Sequence, residues 1–554
     1  MYEAHLLRRT YREGGKVRNE TLANLSRLPR ETVELVRRSL RGEQFLSAAD
    51  AFELERSLPH GHVAAVLGMA RRLELARLLD RQPSPERARV LAMVCQRVLE
   101  PGSKLACARQ LAQSTLAEEL GVEGSDVDDL YAALDWLSER QGRIEGRLAR
   151  RHLEAGELVL YDVSSSYFEG RTCPLAERGY SRDRRRGSLQ IVYGLLCDRE
   201  GRPVAVEVYA GSLHDDKTVP SQVEKLRERF GLSKLVLCLD RGMVTEANLS
   251  ALRAEGIAWI TALKAPQVQK LARTQVLQPS LFDQLDLAEI ESPDYPGERL
   301  VVCRNPLVAE DRRRRREELL SATERELAPI RQRVERGTLR GRAEIGLAVG
   351  AVANRYKVKK HFLFEIADDR FAYRRNEERI AEEAALDGIY VLRTSVPTEA
   401  LASADVVRSY KRLAEVERAF RTLKSIELEI RPINHRREQR VRAHVFLCML
   451  AYYLEWHLRR AWAELTFEDE QPPPAIDPVA KAERSPEAKR KARQKRTAAG
   501  ERCHSFRTLL RELALIARTT NRIGGTDATF TKVATASGVQ RRALELVDLD
   551  PDRL

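Results

Sequence analysis

The chain has 554 residues and a formal net charge of +13, and 32% of its residues are charged. It has no apolar run long enough to cross a bilayer, which argues against a membrane protein, and its basic excess favours a polyanionic partner such as nucleic acid. Eight cysteines without a C-x-x-C pair argue against a zinc site or a disulfide framework, so we expect a cytoplasmic protein.

The first 150 residues are predicted to form a β-hairpin followed by helices. Two strand-like runs flank the turn at Gly14 and Gly15, and Pro29 precedes an amphipathic segment. Farther on, Ser84 suits the N-cap of a helix and Pro85 suits its first position. We interpret residues 1–150 as a mainly helical module.

From residue 157 the pattern becomes strand-like. Three successive strands are predicted by "ELVLYDVS", "SLQIVYGLLCD" and "RPVAVEVYAG", and two more, each preceded by a helix, by "SKLVLCLD" and "IAWITAL". This order predicts an α/β fold in which helices flank a mixed sheet. Residues 151–264 are expected to be the first part of that core.

In the second half of the chain, the core is expected to be interrupted by an inserted domain and then to continue. A long charged helix within residues 265–385 predicts an inserted domain, after which the core is expected to continue through residues 386–465. Residues 466–505 are rich in proline and then in basic side chains, which predicts a disordered linker. Its run at 489–496 is expected to be a flexible nucleic-acid arm or a solubilising tail, and residues 506–554 a helical tail.

Asp162 lies in an otherwise apolar strand, where a carboxylate needs a positive partner: a lysine, an arginine or a metal ion. A second acid, Asp240, ends the fourth predicted strand. If the first and fourth strands are neighbours, the two carboxylates repel each other unless a divalent cation lies between them. Hard oxygen ligands suit Mg²⁺ or Mn²⁺. Taken alone, Asp162 fits a strand-end carboxylate and Asp240 a turn former equally well.

A predicted helix around Glu417 supplies a third acid. At 100° per residue, Tyr410 and Lys424 lie within about 20° of the same stripe as Glu417. A phenol, a carboxylate and an ammonium group on one helix face can hold a metal ion and adjacent phosphates. Taken alone, a glutamate in a helix rich in charges, such as Glu417, is usually a solvated residue or an ion-pair partner.

The runs "YDVSSSYFEG", "LDRGM" and "YKRLAEVERAFRTLK" resemble the DDE transposases of bacterial insertion sequences, whose core is RNase H-like. The resemblance spans roughly residues 155–460 and is greatest to the subgroup with a large insertion before the final Glu and a Tyr-x2-Arg-x3-Glu-x6-Lys signature. It implies that Asp162, Asp240 and Glu417 are the catalytic acids and that they hold two Mg²⁺ or Mn²⁺ ions.

The signature also implies contacts with DNA phosphates. Its arginine falls on Leu413 in this chain, which leaves open whether Arg412 or Arg421 replaces it. The expected phosphate-binding residues are Tyr410, Lys424, Arg421, Arg184, Arg185 and Arg186.

Asp215, in "HDDKT", is kept as a further candidate for the acidic site, although a helix N-cap is the simpler interpretation.

The resemblance implies a transposase that cleaves DNA and transfers the freed strand by two-metal-ion phosphoryl transfer. Its expected partners are double-stranded DNA, as terminal inverted repeats and target, and a second copy of the chain in a synaptic homodimer. Residues 1–150 are expected to bind the element ends, and the protein to lie in the cytoplasm with the nucleoid. Two alternatives stay open: a related metal-dependent nuclease or resolvase, and a catalytically inactive, transposase-derived DNA-binding protein.

Overall fold

The computed structural model describes residues 4–43, 45, 51–183, 185, 187–277, 282–474, 476–524 and 526–554. The chain begins with the predicted hairpin, whose strands pair antiparallel and whose turn is made by Gly14 and Gly15 at φ of +55° and +80°. A short helix follows the hairpin. These first elements are β1 (Leu6–Glu13), β2 (Lys16–Asn24) and α1 (Arg30–Leu40).

A helical module follows, as predicted. The Ser84 hydroxyl accepts a hydrogen bond from the Arg87 amide at 3.2 Å and caps a helix that has Pro85 at its first position. The elements of this module are β3 (Phe52–Pro59), α2 (Gly61–Arg72), α3 (Leu75–Leu79), α4 (Pro85–Leu99), α5 (Lys104–Gln110), α6 (Leu116–Leu120) and α7 (Val127–His152).

The central sheet begins with β4 (Leu158–Tyr167), β5 (Glu177–Arg178), β6 (Leu189–Cys197) and β7 (Pro203–Ala210), and continues after α8 (Val219–Glu224) with β8 (Val236–Leu239), α9 (Glu246–Ala254) and β9 (Ala258–Ala262). Its main strands lie in the order β7-β6-β4-β8-β9. Strands β4, β6 and β7 pair antiparallel, whereas β8 runs parallel to both β4 and β9. This is the strand order of an RNase H-like core, so the predicted fold class is confirmed.

The expectation that all of residues 265–385 form an inserted domain is wrong at the N-terminal end of this segment, because its first strands belong to the central sheet. After α10 (Ala265–Arg273), strands β10 (Leu287–Ile290) and β11 (Arg299–Arg304) extend the central sheet through β14 (Ile389–Thr394), which pairs with β9. The four consecutive apolar side chains Leu300–Cys303 of β11 are buried, as expected for a strand inside the sheet. The part with its own apolar core comprises α11 (Pro306–Glu335), α12 (Arg342–Arg355), β12 (Phe362–Ile366), β13 (Phe371–Arg375) and α13 (Glu377–Ala384).

The helix predicted to carry Tyr410, Glu417 and Lys424 is two helices, α14 (Ser403–Lys411) and α15 (Leu413–Lys424), with α16 (Glu438–Ala461) behind them. At the junction, the Arg412 amide bonds to the Ser409 carbonyl and the Glu415 amide to the Arg412 carbonyl. These bonds to the third residue back interrupt the α-helical hydrogen-bond pattern at Arg412 and separate the two helices.

Residues 466–505 are not wholly a disordered linker, because they contain α17 (Pro486–Gln494). Its Lys491 is buried and donates to the carbonyls of Ala463 and Glu468 and to the Glu470 carboxylate, each at 2.9 Å. These bonds attach the basic run to the end of the helical core, which corrects the expectation of a flexible arm at 489–496.

The last fifty residues are not a simple helical tail. They contain α18 (Phe506–Ala514), β15 (Ala517–Ile523), β16 (Thr529–Val533) and α19 (Gly538–Glu545). Strand β15 pairs with both β16 and the distant β3, so the two ends of the chain form one small sheet. Among the described residues, no helix combines the length and apolar character that crossing a membrane requires.

Candidate functional site

Asp162 lies on β4, in the middle of the central sheet. Its neighbours Leu160 and Tyr161 are buried, and its Oδ1 accepts a hydrogen bond from the Val163 amide at 2.7 Å. The parallel pairing of β4 with β8 sets Tyr161 beside Leu239. Asp162 and Asp240, the next residue on each chain segment, therefore lie side by side at the point where β8 ends.

Asp240 ends β8 and begins a single 3₁₀ turn. Its Oδ2 accepts a hydrogen bond from the Gly242 amide at 3.2 Å, which caps that turn. Asp240 therefore forms the turn and also lies beside Asp162. The two roles are compatible, because the capping bond uses Oδ2 and not Oδ1.

Glu417 lies on the exposed side of α15, which packs against β4. The opposite side of the helix is buried through Val416 and Phe420, and the Phe420 ring meets the edge of Tyr193 on β6 with the centroids 5.6 Å apart. This packing fixes the helix over the sheet. The charge of Glu417 consequently acts on Asp162.

The pKa of Asp162 is raised to about 7, mainly by burial and further by the charges of Asp240 and Glu417. The three sequence-predicted acids therefore share one electrostatic neighbourhood. Within the described part of the chain, no three His, Cys, Asp or Glu side chains are arranged closely enough to hold a metal ion as they stand. The donor chemistry nevertheless fits a hard divalent cation, since carboxylate oxygens predominate and their charge is under-compensated.

One cation, Arg182, does act on Asp162 and lowers its pKa against the effect of burial. Its backbone amide donates to the Ser165 hydroxyl at 3.1 Å, and its guanidinium forms an ion pair with Asp215. The sequence predicted phosphate contacts for the later arginines of the run "SRDRRRGS" and not for this one. Only the fold shows that Arg182 faces the acids.

Asp215, the further candidate for the acidic site, lies close to Asp240. A Cβ atom placed on Gly242 would be 3.4 Å from Asp240 Oδ2 and 3.7 Å from Asp215 Oδ2. The side chain of Asp215 does not cap the helix that follows, contrary to the simpler interpretation. The site therefore contains a fourth carboxylate, already paired with Arg182.

One predicted phosphate ligand, Tyr410, lies near Asp240, and another, Lys424, is bonded to the strand that carries Asp162. Burial raises the pKa of Tyr410, and the charge of Asp240 raises it further. The ammonium group of Lys424 donates to Asp183 Oδ1 at 3.0 Å and to the Ser165 carbonyl, and burial lowers its pKa. Lys424 is thus already engaged with the loop between β5 and β6.

The predicted arginines differ in their surroundings. Arg421 is exposed, and no ion pair joins it to the described residues, whereas Arg412 donates to the Arg199 carbonyl at 2.9 Å. Arg412 is therefore engaged with the turn between β6 and β7, and which of the two arginines replaces the signature arginine stays a prediction. Arg185 is exposed, with its guanidinium carbon 3.9 Å from the Tyr167 ring centroid. Arg184 and Arg186 lie outside the described residues.

Comparison with known families gives two matches. Residues 156–454 match the family described as the transposase DDE domain, and residues 1–51 match the N-terminal domain of the IS1634 family of transposases. None of the curated proteins compared with this chain matches it.

Two solved structures are similar at a low level. The piggyBac transposase in a synaptic complex with hairpin DNA is 10% identical, with 82% of this chain and 76% of that chain covered and a TM-score of 0.35. The Mos1 transposase in a paired-end complex with the left transposon end is 11% identical, with 44% of this chain and 70% of that chain covered and a TM-score of 0.15.

Proposed function

This chain belongs to the transposase DDE domain family, and from that premise we propose that it moves a bacterial insertion sequence by cleaving DNA at the element ends and joining the freed 3′ ends to a target. The observation that supports this proposal best is the position of Asp162 and Asp240 on neighbouring parallel strands, with Glu417 acting on the same site.

Enzymes of this family generally use divalent metal ions. In our proposal Asp162, Asp240 and Glu417 would hold two Mg²⁺ or Mn²⁺ ions, and such ions would supply Lewis-acid activation of the attacking oxygen and charge stabilisation for the leaving 3′ oxygen. Arg182 is paired with Asp215, and its charge favours the ionised form of Asp162. Tyr410 and Arg421 are then available to contact the phosphates on either side of the scissile bond.

The proposed partner is double-stranded DNA, both as the inverted repeats of the element and as target. The net charge of +13 favours such a polyanion. We assign end recognition to residues 1–150 and propose that two copies of the chain pair the ends in one synaptic complex. In the cell, such a protein would lie with the nucleoid.

The test begins with the DNA that flanks this reading frame, since inverted repeats there would supply the substrate. With that duplex and Mg²⁺, Asp162→Asn, Asp240→Asn and Glu417→Gln should each abolish cleavage and retain end binding. Glu415→Gln is the matched control, because Glu415 lies on the same helix but faces Arg418 at 3.5 Å. A variant of any of the three acids that cleaves normally would remove that residue from the site.

A strand-transfer assay separates this function from its alternatives. Mg²⁺-dependent nicking that never yields joined products would assign a nuclease or resolvase. A wild-type protein as inert on cognate ends as Asp240→Asn would assign a DNA-binding protein without catalysis.

A further inference from the structure

A strongly basic cavity of about 430 Å³ lies behind the loop that follows α15. It is enclosed by α4, α5, α7 and the start of α16. Among the described residues that line it, one is a carboxylate, Glu429. The basic side chains in the lining are Arg97, Lys104, Arg431, Arg436, Arg437 and Arg440.

Two of these cations are buried without an opposite charge. Lys104 is 4% exposed and Arg97 is 5% exposed, and no carboxylate in the described part of the chain forms an ion pair with either. The guanidinium of Arg97 donates to the carbonyls of Gly102, Leu428 and Glu429 at 2.8 to 3.3 Å. Burying an uncompensated charge is costly, and a bound anion removes much of that cost.

The only hydrogen-bond partner of the Lys104 ammonium within the described residues is Nδ1 of His444, at 3.4 Å. Nε2 of His444 lies 3.0 Å from the Ile430 carbonyl and must donate to it, so Nδ1 accepts from Lys104 and the ring is neutral. Burial and the charge of Lys104 lower the pKa of His444. His444 therefore orients the ammonium group but does not neutralise it.

The remaining arginines of the cavity differ in whether a carboxylate forms an ion pair with them. Arg440 is bound by Asp135 through two bonds of 2.9 and 2.7 Å. Arg436 and Arg437, at the exposed mouth of the cavity, have no ion-pair partner among the described residues. The mouth thus offers two free guanidinium groups above two buried cations.

Arg431 connects the cavity to the loop that contains Arg182 and Asp183. Its guanidinium bonds to Asp183 at 2.9 Å, and Asp183 also accepts from Lys424 of α15. Only the side chain of Arg431 would therefore separate a group bound in the cavity from Asp183, which lies next to Arg182 in the same loop. This position favours a backbone phosphate of the same DNA that reaches the acids.

We propose that this cavity binds a phosphate group, held by Lys104 and Arg97 inside and by Arg437 and Arg436 at the mouth, and that the phosphate belongs to a DNA strand next to the scissile bond. Arginine forks and an ammonium group match the several acceptor oxygens of a phosphate. The assignment of this phosphate to DNA rests on the proposed function, whereas the binding of a phosphate group in the cavity does not.

Inorganic phosphate is the first probe. Phosphate should raise the Tm of the wild-type protein above that in chloride of equal ionic strength, because it binds the folded state alone. Lys104→Met should remove this rise, and Arg437→Gln should reduce it. Arg333→Gln, which removes an exposed arginine of α11, is the control and should keep the full rise. Because Arg437 is exposed, its variant remains informative even if Lys104→Met does not fold.

A duplex containing the DNA that flanks the reading frame is the second probe. The slope of log K against log salt should become shallower by about 1 in Arg437→Gln and in Lys104→Met, and stay unchanged in Arg333→Gln. A phosphate-induced Tm rise that is the same in all proteins would overturn the site. A lost Tm rise with an unchanged slope would overturn DNA as the source and assign a free anion. Normal cleavage by the three acid variants would overturn the proposed function but leave the phosphate site standing.

Discussion

At the scale of single residues, the central feature is an aspartate side chain whose ionised form is destabilised by its surroundings in the fold. Asp162 is largely surrounded by protein and lies beside Asp240, so burial and repulsion both favour its protonated form. Arg182 opposes these effects but does not cancel them. A site that is unstable without an added cation is the expected state of a metal-dependent active site before its ions bind.

This imbalance predicts a pH-dependent effect of Asp162→Asn on stability. The pKa of Asp162 is about 7 in the folded protein and about 4 when unfolded, so between these values the folded state binds more protons. The wild-type protein therefore loses stability as pH rises from 4 to 7, and the asparagine variant lacks that loss. Without divalent ions, the variant should gain on the order of 2 kcal/mol relative to wild type between pH 5 and pH 8.

Urea unfolding of both proteins at the two pH values, in the presence of a chelator, measures this gain. Other buried acids, such as Glu455 with a pKa raised to about 7 by burial, titrate equally in both proteins and cancel in the comparison. Saturating Mg²⁺ should raise the Tm of the wild type and not that of the variant. A stability difference that does not change with pH would show that Asp162 has an ordinary pKa.

At the scale of secondary-structure elements, one loop joins the sheet to the helix that carries Glu417. Asp183 is the anchor of this loop, with a side chain only 5% exposed. It accepts from Lys424 of α15 at 3.0 Å, from Arg431 at 2.9 Å and from the Tyr167 amide at 3.0 Å. The residue therefore ties β4, α15 and the wall of the basic cavity together.

Asp183→Asn should destabilise the protein by about 3 to 5 kcal/mol, because it leaves two partly buried cations without their counter-charge. The control is Asp405→Asn, whose partner Arg408 lies at 2.7 Å on the surface of α14. An exposed pair of this kind contributes no more than about 1 kcal/mol. Urea unfolding measures both, and equal losses would show that the Asp183 interactions are no stronger than a surface ion pair.

At the scale of the whole molecule, the two ends of the chain complete each other. Strand β15 pairs with β3 along its length, and the Trp462 indole of the core donates to the Ala543 carbonyl of α19 at 2.9 Å. Helix α2 packs so closely against α18 that a Cβ atom on Gly61 would lie 2.5 Å from the Leu513 carbonyl oxygen and 2.7 Å from the Ile516 side chain. The helical module therefore requires the C-terminal segment for its packing.

Gly61→Ala should consequently destabilise the protein by about 1 to 3 kcal/mol, because the added methyl group meets a backbone carbonyl that cannot move aside cheaply. Gly142→Ala is the matched control, since Gly142 also lies in a helix and a methyl group added there would have no atom within 4 Å. That change should be neutral or stabilising by up to about 1 kcal/mol. Thermal unfolding of the two variants measures the contrast, and a neutral Gly61→Ala would contradict close packing of the two ends.

Local patterns predicted much of the core. The alternation in "ELVLYDVS" and "SKLVLCLD", together with the cap at Ser84, gave two strands and a helix at nearly their observed bounds. Asp162 and Asp240 were expected to lie together if the first and fourth predicted strands are neighbours, and the pairing of β4 with β8 meets that condition. Their catalytic role and that of Glu417 stay a prediction, which the three substitutions test.

Interactions between distant segments were not predictable in this way. Nothing near "ARTTNRI" indicates that it pairs with β3 more than 450 positions earlier in the chain, or that the charged helix α17 buries Lys491 against carbonyls of the core. The turn at Arg412 and the ion pair of Arg182 with Asp215 likewise depend on contacts with other elements. Composition therefore misassigned the basic segment as a disordered linker.

The amino-acid sequence by itself determined which segments become strands and helices and that Asp162 and Asp240 each lie on a strand or directly after one, because periodicity and capping act over a few residues. The adjacency of these two strands is a property of the tertiary structure. Only the tertiary structure decided which cations are engaged, which are free and which are buried without a counter-charge. Those properties depend on desolvation and on charges brought together from remote parts of the chain. The raised pKa of Asp162 and the basic cavity around Lys104 both have this origin.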